Sequence, residues 1–138
     1  MHTIDKIQQE IIDEFNMFED WMQKYEYIID MGKELAPIDQ KYKLEKNLIK
    51  GCQSRVWLHA EIKNNLIIFY GDSDAIMTKG IVALLLRVLS QQSPQDIISS
   101  KLDFLDKIGL KEQLSATRAN GLASMVKQMK IYALAYNN

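Results

Sequence analysis

Apolar side chains recur every three or four residues at the start of the chain, at Ile4, Ile7, Ile11, Phe15 and Phe18, which predicts one face of a helix. Thr3 stands where such a helix needs a side-chain oxygen for its first free N–H groups. Asp20 takes the same place before a second stripe, Trp21, Tyr25, Ile28 and Leu35. Gly32 is expected to loosen this second helix near its end, and Pro37 to stop it. Both aromatic stripes read as core rather than as a ligand box. Residues 39–50 lose the period. They are polar and lysine-rich, with Leu44, Leu48 and Ile49 as anchors, and are expected to cross the molecule irregularly. Asp39 and Glu45 within them argue against a nucleic-acid patch.

After position 55 the period becomes two. Val56, Leu58, Ala60 and Ile62 alternate with Trp57, His59 and Glu61, a half-buried strand. Lys63-Asn64-Asn65 is turn chemistry, and Leu66 to Tyr70 completes a hairpin. Two strands alone are marginal, so a third is expected from the segment before Cys52, or helices over one face. Gly71-Asp72-Ser73-Asp74 breaks the strand and offers several helix caps, Asp74 among them. Ile76 to Leu89 is a strongly apolar helix, and Gly80 inside it predicts close approach of a neighbouring backbone. Ser93-Pro94 starts a further helix, with Pro94 at its first position. Leu102, Phe104, Leu105 and Ile108 pack a short connection ending at Gly109. Ser115 caps a last helix with Leu122, Met125, Met129, Tyr132 and Tyr136 on one stripe. Arg118 falls in its first turn, where a cation opposes the helix dipole and asks for a carboxylate or an anion, an ordinary surface ion pair being the simplest answer. The fold class is therefore α+β: a small antiparallel sheet of about three strands against N- and C-terminal helices, one domain over residues 1–138.

Composition narrows the function classes without choosing one. A chain of 138 residues with 47% hydrophobic and 25% charged residues is ordinary for one globular domain. Seventeen basic residues balance eighteen acidic ones, so no global field draws in nucleic acid or anionic membrane. The N-terminus lacks the apolar segment of a secretory signal, and the longest apolar run, Ile81 to Leu86, is too short to span a bilayer. A single cysteine cannot form an internal disulfide and suits a reducing compartment, hence a cytoplasmic expectation. His59 has no second histidine or cysteine spaced for a metal and His2 is terminal, so neither metal nor cofactor is expected.

The candidate chemistry lies in Gly51-Cys52-Gln53-Ser54-Arg55-Val56-Trp57, where the polar crossing segment meets the first strand. Gly51 permits a tight turn beside the sulfur. Gln53 and Ser54 supply an amide and a hydroxyl able to donate to an anionic sulfur. Lys50 and Arg55 flank the thiol, and nearby cations favour thiolate. The bland alternative is a small buried residue, since free cysteines are among the most buried types.

Gly51-Cys52-Gln53-Ser54 followed by Val56-Trp57 resembles the signature of the SufE family of sulfur-acceptor proteins. Gly71-Asp72-Ser73-Asp74-Ala75 with Lys79-Gly80 is similar to that family's second block. Leu114-Ser115, Arg118 and Asn120-Gly121-Leu122 resemble its C-terminal block, and Trp21, Tyr25, Tyr27-Ile28-Ile29 and Gly32 its N-terminal helix. The resemblance implies a partner cysteine desulfurase whose pyridoxal phosphate stays with the desulfurase, a persulfide on Cys52, and hand-over to an iron–sulfur assembly scaffold complex. It implies that the Asp74 loop lies beside the cysteine loop and affects how the sulfur site opens. Gly51, Gln53, Ser54, Arg55, Asp74 and Arg118 are then the supporting or partner-contact residues, and a homodimer stays open. At rest Cys52 is expected turned inward against apolar residues such as Val56 or Ile76, which would raise its pKa. Two other classes remain. A cluster-building scaffold would need about four ligands, and Cys52, His59 and Asp74 make a poor set. A cysteine hydrolase pairing Cys52 with His59 lacks an acid to orient the histidine, and the strand carries His59 away.

Overall fold

The computed structural model describes residues 3–137, so the terminal His2 lies outside the described residues. Two N-terminal helices, α1 (Ile4–Phe15) and α2 (Trp21–Glu34), begin as expected. Thr3 Oγ1 accepts from Lys6 N at 3.1 Å, and Asp20 Oδ1 from Gln23 N at 2.9 Å. Their apolar stripes meet, with the Phe15 and Tyr27 rings edge-on at 5.4 Å. Residues 39–50 cross in two single 3₁₀ turns, Gln40–Tyr42 and Glu45–Asn47, and Asn47 Nδ2 donates to Tyr42 O to hold them together.

The chain then enters an antiparallel hairpin of β1 (Val56–Lys63) and β2 (Leu66–Ser73). Asn64 and Asn65, with φ of 53° and 66°, make the tight turn that matches the twist of the strands. The expected third strand is reduced to one bridge, Leu48 to Trp57. The reason lies on the outer edge of β1, where alternate carbonyls face the same way. Val56 O accepts from Ile49 N, but Leu58 O and Ala60 O accept from the Tyr132 and Tyr136 hydroxyls at 3.4 and 3.2 Å. A helix, not a strand, takes over the edge.

That helix is α7 (Ala116–Tyr136), the last of the chain. Before it come α3 (Ile76–Leu89), α4 (Pro94–Ser99), α5 (Phe104–Lys107) and α6 (Leu110–Gln113). Ser93 and Ser115 cap α4 and α7 as their positions predict, and Gly109 turns the chain from α5 to α6 at φ +78°. Helix α3 is the centre of the core, with Ile81, Val82, Leu84, Leu85, Val88 and Leu89 all buried. It crosses α2 at a pair of glycines. A Cβ on Gly80 would stand 2.3 Å from Ile28 O, and one on Gly32 2.7 Å from Gly80 N. Gly80 thus does what its place predicts, while Gly32 serves this crossing instead of loosening the helix end. Arg87 at the far end of α3 forms a two-pronged pair with Glu14 of α1, at 2.8 and 2.5 Å, and Tyr27 donates to the same carboxylate. Among the described residues no helix is long and apolar enough to cross a membrane.

Candidate functional site

Cys52 sits in a loop whose two ends are fixed. Ile49 N donates to Val56 O at 2.9 Å, closing the loop at its neck. Gly51 has φ +90°, the left-handed region that favours glycine, and it packs against Ser124 of α7, whose Oγ would lie 2.8 Å from a Cβ there. The turn before α3 holds the other flank. Arg55 N donates to Asp74 Oδ1 at 3.0 Å, while Arg55 O accepts from Asp74 N at 3.3 Å and Ser73 Oγ at 2.8 Å. The reading of Asp74 as a helix cap is thereby corrected. Ala75 occupies the cap position, and α3 begins without a side-chain cap bond because the Asp74 carboxylate is engaged by the cysteine loop.

The thiol itself is half-buried and points into the body of the molecule. Its Sγ donates to Gly121 O of α7 at 3.7 Å. It opens on a cleft of about 280 Å³. Gln53 and Ser54 line that cleft from the loop, Thr78 and Ile81 from α3, and Thr117, Arg118, Gly121 and Met125 from α7. Burial pushes the Cys52 thiol above the ordinary cysteine range. The flanking Lys50 and Arg55 do not reverse this. Lys50 lines a different groove, and Arg55 is exposed with its backbone held by Asp74. The thiol turns inward as expected, but against other neighbours: Ile81, Met125 and Gly121 line the cleft, whereas Ile76 is 66% exposed and Val56 does not line it.

The structure brings Cys52, Gln53, Ser54 and Arg118 to one cleft and ties Arg55 and Asp74 together at its margin. Arg118 N is capped by Ser115 Oγ, and among the described residues its guanidinium forms no ion pair. His59 is elsewhere. It stacks on Tyr42 with ring centroids 3.8 Å apart, and its Nε2 lies 3.2 Å from Glu61 Oε1. The hydrolase pairing with Cys52 therefore has no geometry behind it. Among the described residues no three His, Cys, Asp or Glu side chains cluster as metal ligands. Sequence patterns alone do not single out Thr78, Thr117, Ile81 or Met125 for the site. Thr78 carries the one usable signal, a hydroxyl in the first turn of a strongly apolar helix, and it is 7% exposed.

Below the site Asp72 anchors the turn. It is buried, accepts from Ser73 N at 2.8 Å, and meets Lys43 and Lys79 at 3.3 and 3.4 Å. Burial alone would raise its pKa, but the Ser73 N–H and the two ammonium groups together hold it below the usual carboxylate range.

Known proteins resemble this chain over most of its length. A family model, SufE, described as an Fe-S metabolism associated domain, matches residues 9–133. A SufE-like protein of Rhizobium meliloti is 39% identical over 126 residues, covering 88% of this chain and 90% of the relative. One from Synechocystis is 34% identical over 91% of this chain and 79% of its own length. A SufE-like protein 1 of Arabidopsis thaliana, named chloroplastic/mitochondrial, is 38% identical over 91% of this chain, which spans 34% of that longer protein. The solution structure of a hypothetical protein from Thermus thermophilus shares the fold, with a TM-score of 0.78, 17% identity, and coverage of 94% of this chain and 95% of that one. With the family model matching nearly end to end and close relatives bearing the same family name, the chain belongs to the SufE family of iron–sulfur metabolism.

Proposed function

We propose that Cys52 is a sulfur acceptor that takes a sulfane sulfur from a pyridoxal-phosphate-dependent cysteine desulfurase and relays it toward an iron–sulfur assembly scaffold complex in the cytoplasm. The observation that carries this reading is the lone thiol itself, held in a loop tied at both ends and stored against Gly121 at the mouth of a small cleft. The Cys52 thiolate attacks the terminal sulfur of the desulfurase persulfide. A new S–S bond forms at Cys52, the old one breaks, and the desulfurase thiolate leaves, so no outside oxidant or reductant is needed. No second cysteine is present in the chain to reduce the product and release sulfide. Buried and protonated at rest, the thiol resists oxidation, and docking swings it out. Gly51 supplies the turn for that motion, and the Arg55–Asp74 pair holds the resting position. Gln53, Ser54 and Arg118 face the partner. The desulfurase brings its own pyridoxal phosphate, and this chain supplies the nucleophile, its shelter and the docking face.

Incubation with a cysteine desulfurase and cysteine, followed by mass spectrometry, tests this reading. The expected result is a gain of one sulfur atom on Cys52, removable by reductant and absent in Cys52→Ser. Desulfurase turnover that Cys52→Ser stimulates as well as the native protein does would refute the acceptor role.

A further inference from the structure

An open groove of about 410 Å³ runs between residues 46–50 and helix α7. Lys46, Lys50 and Lys127 line it together with Leu48, Ile131 and Tyr132. No carboxylate lines it, and among the described residues none of the three ammonium groups is paired with an acid. By contrast, Lys43 and Lys79 share Asp72, and Arg87 grips Glu14. In a chain of net charge −1, three unneutralised lysines in one groove make a local positive field against the global balance.

The lining is apolar as well as basic. Ile131 is 44% exposed on the surface of α7, opposite a half-buried Leu48. A free inorganic anion gains nothing from such side chains. A nucleic acid would want open aromatic faces for its bases, whereas Tyr132 is half-buried with its hydroxyl on the edge of β1. An acidic peptide segment that also carries an apolar side chain matches both features.

The groove shares a wall with the sulfur site. Lys50 lies two residues before Cys52, and Gly51 packs on Ser124, which also lines the groove. A protein that covers the cysteine loop therefore comes up beside the groove. We propose that this groove receives an acidic, apolar-anchored segment of the desulfurase that docks over Cys52. The partner's identity rests on the sulfur-acceptor reading above, whereas the chemistry of the segment rests on the groove alone.

The test measures binding without chemistry, in a Cys52→Ser background, to a cysteine desulfurase of the same cell by titration calorimetry. Lys46→Glu combined with Lys127→Glu is expected to weaken binding by about tenfold and to flatten its salt dependence. Lys46→Gln with Lys127→Gln should show a smaller loss in the same direction. The control, Lys6→Glu with Lys107→Glu, makes the same change in net charge on remote exposed positions and should leave binding nearly unchanged. Thermal melts confirm that all variants fold. Equal losses from groove and control reversals, or none from either, would overturn the groove as a docking site while leaving the acceptor reading intact. Failure of the unreversed protein to bind any desulfurase would overturn the partner assignment and the acceptor reading together. Single-stranded oligonucleotide binding that disappears on groove reversal, with desulfurase binding unchanged, would also overturn the proposal.

Discussion

Gly121 is a helical residue whose missing side chain makes room for sulfur. A Cβ there would stand 3.3 Å from Cys52 Sγ, close enough that the sulfur has to give by a few tenths of an ångström. The loop yields more easily than α7, so Gly121→Ala is expected to push Cys52 outward and speed its alkylation several-fold. Unchanged alkylation would mean the thiol does not rest against this helix. The pH profile gives a second readout. Burial raises the thiol pKa, so the native rate should rise with pH on the alkaline side of an unstructured cysteine peptide, and Gly121→Ala should move it back. The same shift has a thermodynamic side. A pKa raised by folding favours the folded state up to the unfolded thiol's pKa, and that contribution is lost as pH climbs through the folded value.

Among the elements, the α2–α3 crossing bears on stability most directly. Gly80→Ala would drive a methyl into the Ile28 carbonyl at 2.3 Å and force the two helices apart. The expected cost is about 3 kcal/mol in urea unfolding, at the upper end of overpacking in a close-fitted core. A loss no larger than that of an exposed helical substitution would refute tight backbone contact. Gly80 was legible because a glycine inside a strongly apolar helix has few other uses. Gly32 was not, because near a helix end a packing glycine and a loosening one look alike. Caps at Thr3, Asp20, Ser93 and Ser115 were legible because each acts within three residues of itself. Asp74 looked the same locally, but its carboxylate answers to Arg55, across the hairpin. The third strand failed for a similar reason. What covers the edge of β1 is decided by two tyrosines near the C-terminus, which no local period reveals.

At the scale of the whole molecule, Asp72 joins three distant parts of the chain: the crossing segment through Lys43, the hairpin, and α3 through Lys79. Its pKa is depressed by folding despite burial, so its contribution to stability is present above the unfolded aspartate pKa and is lost as pH falls through the folded value. Asp72→Asn is expected to cost about 1–3 kcal/mol at neutral pH, with the gap to the native protein closing in acid. A gap that persists undiminished in acid would show that shape, not charge, is what matters there. The candidate site was legible in part at this scale. Cys52 stood out as the only thiol at a change of period, but the α3 and α7 walls of its cleft are brought in by tertiary packing.

The closed neck of the cysteine loop sets a length. With Ile49 bonded to Val56, Cys52 is three residues from one anchor and four from the other. A fully extended chain advances about 3.5 Å per residue, so the Cys52 backbone swings on a tether of roughly 10 Å. A donor persulfide recessed within that depth is reachable with the fold undisturbed. One set deeper would have to travel outward on an arm of its own.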